Sequence, residues 1–119
     1  MFPVTVLIFK IATAEAWTAA VDRGVFAGSP DDVRDGYIHL SSQDQLLATA
    51  VKYFAGINDL VLAAVEPERL GDRLKWESSR GGVLFPHYYG ELPVAAARWV
   101  RPLPLDDQGV PCVAETLNR

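Results

Sequence analysis

Asp59-Leu60-Val61-Leu62-Ala63-Ala64-Val65 decides the fold class, both by its own composition and by the pattern of the residues downstream of it. A near-continuous apolar run of this length is expected for a strand near the middle of a sheet, covered on both faces. Beyond it, Pro67-Glu68-Arg69-Leu70-Gly71 is turn chemistry, Leu74 to Glu77 a further strand, Arg80-Gly81-Gly82 a flexible corner, and Ala97 to Leu103 a last strand. No stretch after Val65 has the length and 3.6-residue periodicity of a crossover helix. Parallel strands need such crossovers, so the late part of the chain argues against a doubly wound fold.

Upstream, the pattern alternates between strand and helix. Val4-Thr5-Val6-Leu7-Ile8-Phe9-Lys10-Ile11 is rich in β-branched residues and reads as a first strand. Thr13 is an N-cap for a helix with Trp17, Ala20 and Val21 at helical spacing, and Gly24 ends it. Gly28-Ser29-Pro30-Asp31-Asp32 predicts a turn or a single helical turn, with Ser29 capping and Pro30 at the first position. Tyr37-Ile38-His39-Leu40-Ser41 is a short strand. Ser42 with Gln45 then forms a capping box for a helix through about Phe54. Leu46, Leu47, Ala50, Val51 and Phe54 are its expected buried stripe, with Gly56 as the stop. The expectation is an α+β fold, a curved mixed or antiparallel sheet with two main helices, in one domain. Its core spans about 4–104, followed by an irregular tail over 105–119.

Composition narrows the partners. Half of the 119 residues are hydrophobic and 22% are charged, enough apolar surface for a core without staples. A net charge of −4 argues against a nucleic-acid partner, because phosphate neutralisation needs a basic stripe. Arg69, Arg73, Lys75 and Arg80 read as a solvated rim. The lone Cys112 can form no internal disulfide and rules out a cysteine-rich metal site. Val4 to Phe9 is too short to span a membrane and lacks the flanks of an export signal. The expected setting is cytoplasmic, with no membrane partner; nothing sets the oligomeric state.

The two histidines, His39 and His87, mark the candidate site. Strand alternation puts Tyr37, His39 and Ser41 on one face and Ile38 and Leu40 on the other, which must face the core. The polar row then faces water or a wet cleft. His87 lies in Leu84-Phe85-Pro86-His87-Tyr88-Tyr89-Gly90, read as an aromatic loop or strand edge because Pro86 cannot donate to a ladder. Two histidines without matched carboxylate or cysteine spacing predict no metal, and no Gly-x-Ser-x-Gly elbow is present. Ser78-Ser79-Arg80-Gly81-Gly82 reads as hairpin-turn chemistry rather than an anion cradle. Glu77 and Glu91 are candidate acids or bases, each more simply a surface carboxylate.

Together, Phe9-Lys10-Ile11 with Trp17, Asp35-Gly36-Tyr37-Ile38-His39-Leu40-Ser41 and Leu84 to Gly90 resemble the bacterial family called domain of unknown function 952, over roughly residues 6 to 104. More distantly, Tyr37 to Ser41, the following helix, Leu60 to Val65, Pro67 to Leu70 and Lys75-Trp76-Glu77 are similar to the catalytic domain of RNA 2′-phosphotransferases. The latter resemblance implies an ADP-ribosyltransferase-like fold and NAD as cofactor, with His39 and Ser41 in the NAD cleft. Lys10 stands about where that group carries a ribose-holding histidine, and Arg80 is the nearest candidate for its catalytic arginine. On this reading Tyr37, Phe85 and Tyr88 would stack on a planar ring. His39 would orient a ribose hydroxyl, Lys10 would bind phosphate, and His87 or Glu91 would handle protons. Two function classes emerge: a transferase acting on a nucleotide or NAD-like molecule, or a binding module without catalytic groups.

Overall fold

In a computed structural model of the protein, residues 6–119 are described, Arg80 by its backbone alone. Val4 and Thr5, expected in the first strand, lie outside the described residues, and regular pairing begins with β1 (Ile8–Thr13). The chain continues through α1 (Ala14–Arg23), β2 (Val25–Phe26), α2 (Pro30–Asp35), β3 (Ile38–His39), β4 (Ser41–Ser42) and α3 (Gln43–Phe54). β5 (Leu60–Val65), β6 (Leu74–Ser78), β7 (Leu84–Tyr88), β8 (Leu92–Pro93), β9 (Ala97–Leu103) and α4 (Val113–Leu117) complete it. One sheet has the order β4-β1-β5-β9, a second β3-β7-β6, and β2 pairs with β8. All of these pairings are antiparallel, so the α+β expectation holds in its antiparallel form. The described strands divide among three sheets instead of one curved sheet, however, and the short α2 and α4 join the two expected helices.

The predicted caps form. The Thr13 hydroxyl accepts the Ala16 N–H at 3.1 Å, and Gly24, at φ +86°, donates its N–H to the Ala20 carbonyl. In α3 the Gln45 side chain reaches back to the Ser42 N–H at 3.0 Å. These bonds satisfy donors and acceptors that a helix end leaves open.

Both faces of the four-stranded sheet are covered, as the Leu60–Val65 run demanded. Ile8, Ala12, Ala63 and Val65 pack into one core with Trp17 and Ala20 of α1, Ile38, Leu40 and Tyr88. Phe9, Ile11, Leu60, Leu62 and Ala64 pack into the other with Leu46 and Ala50 of α3 and Val113 of α4. Period-2 alternation therefore divides each central strand between two cores. Lys10 falls on the Ile8 and Ala12 face and is only 4% exposed.

Four expectations need correction. Leu47 and Val51 are exposed, because α3 turns only Leu46 and Ala50 fully inward. The tail is not irregular throughout: Val113 and Thr116 of α4 are buried, and the Thr116 hydroxyl donates to the Pro102 carbonyl at 3.3 Å. Tyr37 to Ser41 is not one strand: β3 pairs with β7, β4 pairs with β1, and Leu40 carries the chain between the two sheets. Leu84 to Tyr88 is neither a loop nor an edge, since β7 is the central strand of its sheet, and only Tyr89 and Gly90 lie outside it. Pro86 is tolerated because its carbonyl accepts the Leu40 N–H at 3.1 Å on the side where its own missing N–H would point. The lost bond falls where β3 leaves the sheet.

Candidate functional site

The switch at Leu40 opens a cleft of about 240 Å³ between the two sheets, lined by residues from β1, α2, β3, α3 and β7. On its floor a buried carboxylate organises the neighbouring strands. Asp32 Oδ2 accepts Lys10 Nζ at 2.9 Å and the Ser29 N–H at 2.9 Å. Its Oδ1 accepts the His39 N–H at 3.0 Å and meets His39 Nδ1 at 2.6 Å. Lys10 Nζ also donates to the His39 carbonyl at 3.0 Å, so backbone and ring of His39 are both held. Gly28 makes room for this arrangement: at φ +117°, a Cβ there would stand 2.9 Å from Asp32 Cβ.

Burial pushes the Asp32 carboxyl up, but the bonds from His39 and the Lys10 charge outweigh it and hold the group well below the usual carboxylate range. Burial drives the Lys10 ammonium down, with Asp32 opposing it. Because the folded carboxyl is depressed, Asp32 contributes stability that is present above the unfolded pKa of about 3.9 and lost as pH falls through the folded value. Asp32→Asn is accordingly expected to flatten the acid limb of stability below about pH 4. Denaturant unfolding at stepped pH checks this; an unchanged acid limb would refute it.

The second histidine has its own carboxylate. His87 Nδ1 meets Glu77 Oε1 at 2.9 Å, and the Tyr89 hydroxyl donates to the same oxygen at 2.7 Å. Those two bonds lower the Glu77 carboxyl, and the bond to Glu77 pushes the Tyr89 hydroxyl up to about 12. His39 and His87 are direct cross-strand partners, with ring centroids 5.8 Å apart. Tyr37 stacks on His87 at 4.0 Å and tilts against His39 at 4.7 Å. Partners opposite one another share a face of the sheet, which brings His39, His87, Phe85 and Glu77 to the same side.

Of the residues singled out from the sequence, Lys10, Tyr37, His39, Ser41, Phe85 and His87 line this cleft. Tyr88 does not: alternation turns it to the opposite face, where it is buried in the first core. Glu91 does not either, since it is exposed and pairs with Arg23 at 3.3 Å. The Arg80 side chain lies outside the described residues. Lys10 lines the cleft, yet its ammonium is engaged by Asp32 and the His39 carbonyl, so it serves as a clamp on His39 rather than a free phosphate ligand.

Sequence reading missed Asp32 and Asp35 and undervalued Glu77. Asp32 carries one local signal, the Ser29-Pro30-Asp31-Asp32 capping box, in which the Asp32 N–H also donates to Ser29 Oγ at 3.3 Å. Asp35 Oδ2 reaches His39 Nε2 at 2.9 Å from the end of α2. Cross-strand register sets Glu77 against His87, and the packing of α2 sets Asp32 and Asp35 against His39. No helix among the described residues is long and apolar enough to cross a membrane.

Comparison with known proteins agrees with the fold. The crystal structure of protein CC0527 from Caulobacter crescentus is 48% identical, with a TM-score of 0.91 over 95% of this chain and 99% of that one. The solution NMR structure of CC0527 is 49% identical, with a TM-score of 0.82 over 92% of this chain and 94% of that one. A methionine double mutant of the same protein is 47% identical, with a TM-score of 0.91 over 95% of this chain and 99% of that one. The comparison with curated proteins returns no match. The family model described as protein of unknown function DUF952 matches residues 11–100. With a match across most of its length and a shared fold, the chain belongs to the DUF952 family.

Proposed function

We propose that the chain is a cytoplasmic small-ligand-binding domain of ADP-ribosyltransferase-like architecture whose cleft takes a nucleotide or NAD-type molecule. The observation that carries this reading is the meeting of Tyr37, His39, Ser41, Phe85 and His87 around one cavity. Aromatic walls favour a planar ring through dispersion and the π-face, and clustered imidazole and hydroxyl groups suit ribose hydroxyls. At about 240 Å³ the cavity lies below the roughly 300 Å³ at which drug-sized pockets begin, so it suits a mononucleotide or one end of a larger molecule. Ligand binding to the folded state alone raises the unfolding temperature. NAD, ADP-ribose or a cyclic nucleotide at millimolar concentration is therefore expected to raise it by several degrees, and His39→Ala to abolish the shift. No shift with any of them would overturn the reading.

The engagement of Lys10 favours a second reading, a binding module without turnover. The cation at the position of the expected ribose-holding histidine spends its hydrogen bonds inside the protein. On this reading the bound nucleotide stays chemically unchanged by mass spectrometry after long incubation. Turnover that disappears in His39→Ala would exclude it.

A further inference from the structure

The two histidines differ in which ring nitrogens are already taken. His39 faces a carboxylate at each nitrogen, Asp32 at Nδ1 and Asp35 at Nε2. An ionised carboxylate only accepts, so both contacts are satisfied together only by a ring that donates from both nitrogens. His87 has Glu77 at Nδ1, and its Nε2 has no partner among the described residues although the ring lines the cleft. A ring that donates Nδ1–H to Glu77 keeps a lone pair at Nε2 when neutral. In those forms His39 offers a donor at Nε2 and His87 an acceptor.

The carboxylates on His39 also differ. Asp32 is buried, with four protein donors on its two oxygens. Asp35 is partly exposed and is held by Arg34, Nε to Oδ1 at 2.9 Å and Nη2 to Oδ2 at 3.3 Å. Arg34 is itself exposed, lines the cleft, and gives its Nη1 to Asp31 at 3.1 Å. Asp35 Oδ2 thus sits between His39 Nε2 and Arg34 Nη2, two donors converging on one oxygen. It stands in the last turn of α2, where the helix dipole disfavours negative charge. Exposed ion pairs of this kind are weak, so a competing anion can replace the Asp35 side chain without disturbing the buried Asp32 clamp.

We propose that His39 Nε2 and Arg34 form the anion-binding corner of the cleft, that Asp35 occupies it as an internal substitute, and that His87 Nε2 accepts a hydroxyl of the same ligand. The ligand class is a hydroxylated molecule bearing a phosphate or carboxylate oxygen, of which a nucleoside monophosphate is the nucleotide-type member. This rests on the nucleotide-pocket reading and adds the group that is recognised and the residues that recognise it.

The test titrates the protein with AMP, adenosine, inorganic phosphate and acetate, observing the histidine ring nitrogens by ¹⁵N NMR. AMP is expected to bind more tightly than adenosine and to perturb His39 Nε2 and His87 Nε2. Arg34→Gln is expected to weaken AMP about fivefold while leaving adenosine unchanged, and Asp35→Asn to tighten phosphate about three- to fivefold. Phosphate displacing Asp35 more readily than acetate identifies a phosphoryl ligand, and the reverse a carboxylate. Adenosine binding as tightly as AMP, with both variants neutral, overturns the anion corner and leaves the pocket standing. Absence of binding by AMP and adenosine overturns both. Heat stability of the two variants close to the parent's confirms that lost binding is not lost folding.

Discussion

Asp32→Ala is expected to destabilise the protein by about 3–5 kcal/mol, the usual consequence of removing one partner from a buried ion pair. The variant leaves the Lys10 ammonium in a site that is 4% exposed, without its counter-charge. It also strips the His39 N–H and the Ser29 N–H of their acceptor, and buried donors left unmade carry the full cost of desolvation. Guanidinium unfolding followed by tryptophan fluorescence measures the change. Asp35→Ala is the control, because its contacts are exposed and its removal should leave stability close to the parent's. If the two variants are equally mild, Asp32 does not organise the strands around it. A large effect would also explain why the clamp and the binding corner can be separated: one carboxylate holds the fold, while its neighbour at the end of the same helix can be exchanged.

Leu62→Ala is expected to cost about 2–5 kcal/mol, whereas Leu47→Ala should remain within about 0.5 kcal/mol. Leu62 lies in β5 with no exposed surface and packs into the core beneath α3 and α4. Truncation there loses apolar transfer energy and leaves a cavity that two rigid layers cannot close. Leu47, on α3, is 56% exposed. Equal losses at both positions would mean that the outer face of α3 is covered in solution. The same denaturant titration that serves Asp32 serves this pair.

That contrast shows how far periodicity could be read. Leu46, Leu47, Ala50, Val51 and Phe54 all satisfy a helical stripe, but a stripe defines a broad arc of the helix and not the width of the surface it meets. Only the packed sheet shows that α3 presents Leu46 and Ala50 squarely and leaves Leu47 and Val51 at the margin. Pro86 is a similar case. Its missing donor suggested an edge, yet a central strand accommodates it where the neighbouring strand departs. Local chemistry constrains what a residue can donate, but the neighbours decide whether the donor is needed.

The sequence by itself determined the first strand and the two main helices, the Thr13, Ser29 and Ser42 caps, the doubly covered Leu60–Val65 strand, and the inward-facing pair Ile38 and Leu40. These depend on bonds within about four residues or on strict alternation along the chain, so they can be read before any tertiary contact exists. The tertiary structure alone decided that His39 faces His87, that Asp32 and Lys10 clamp His39, that Glu77 backs His87, and that Tyr88 and Glu91 stand apart. Those facts depend on strand register and on the docking of α2, which are set by the simultaneous packing of two cores. A one-residue slip of β7 would turn His87 inward and Tyr88 outward, so no local pattern could have made that choice.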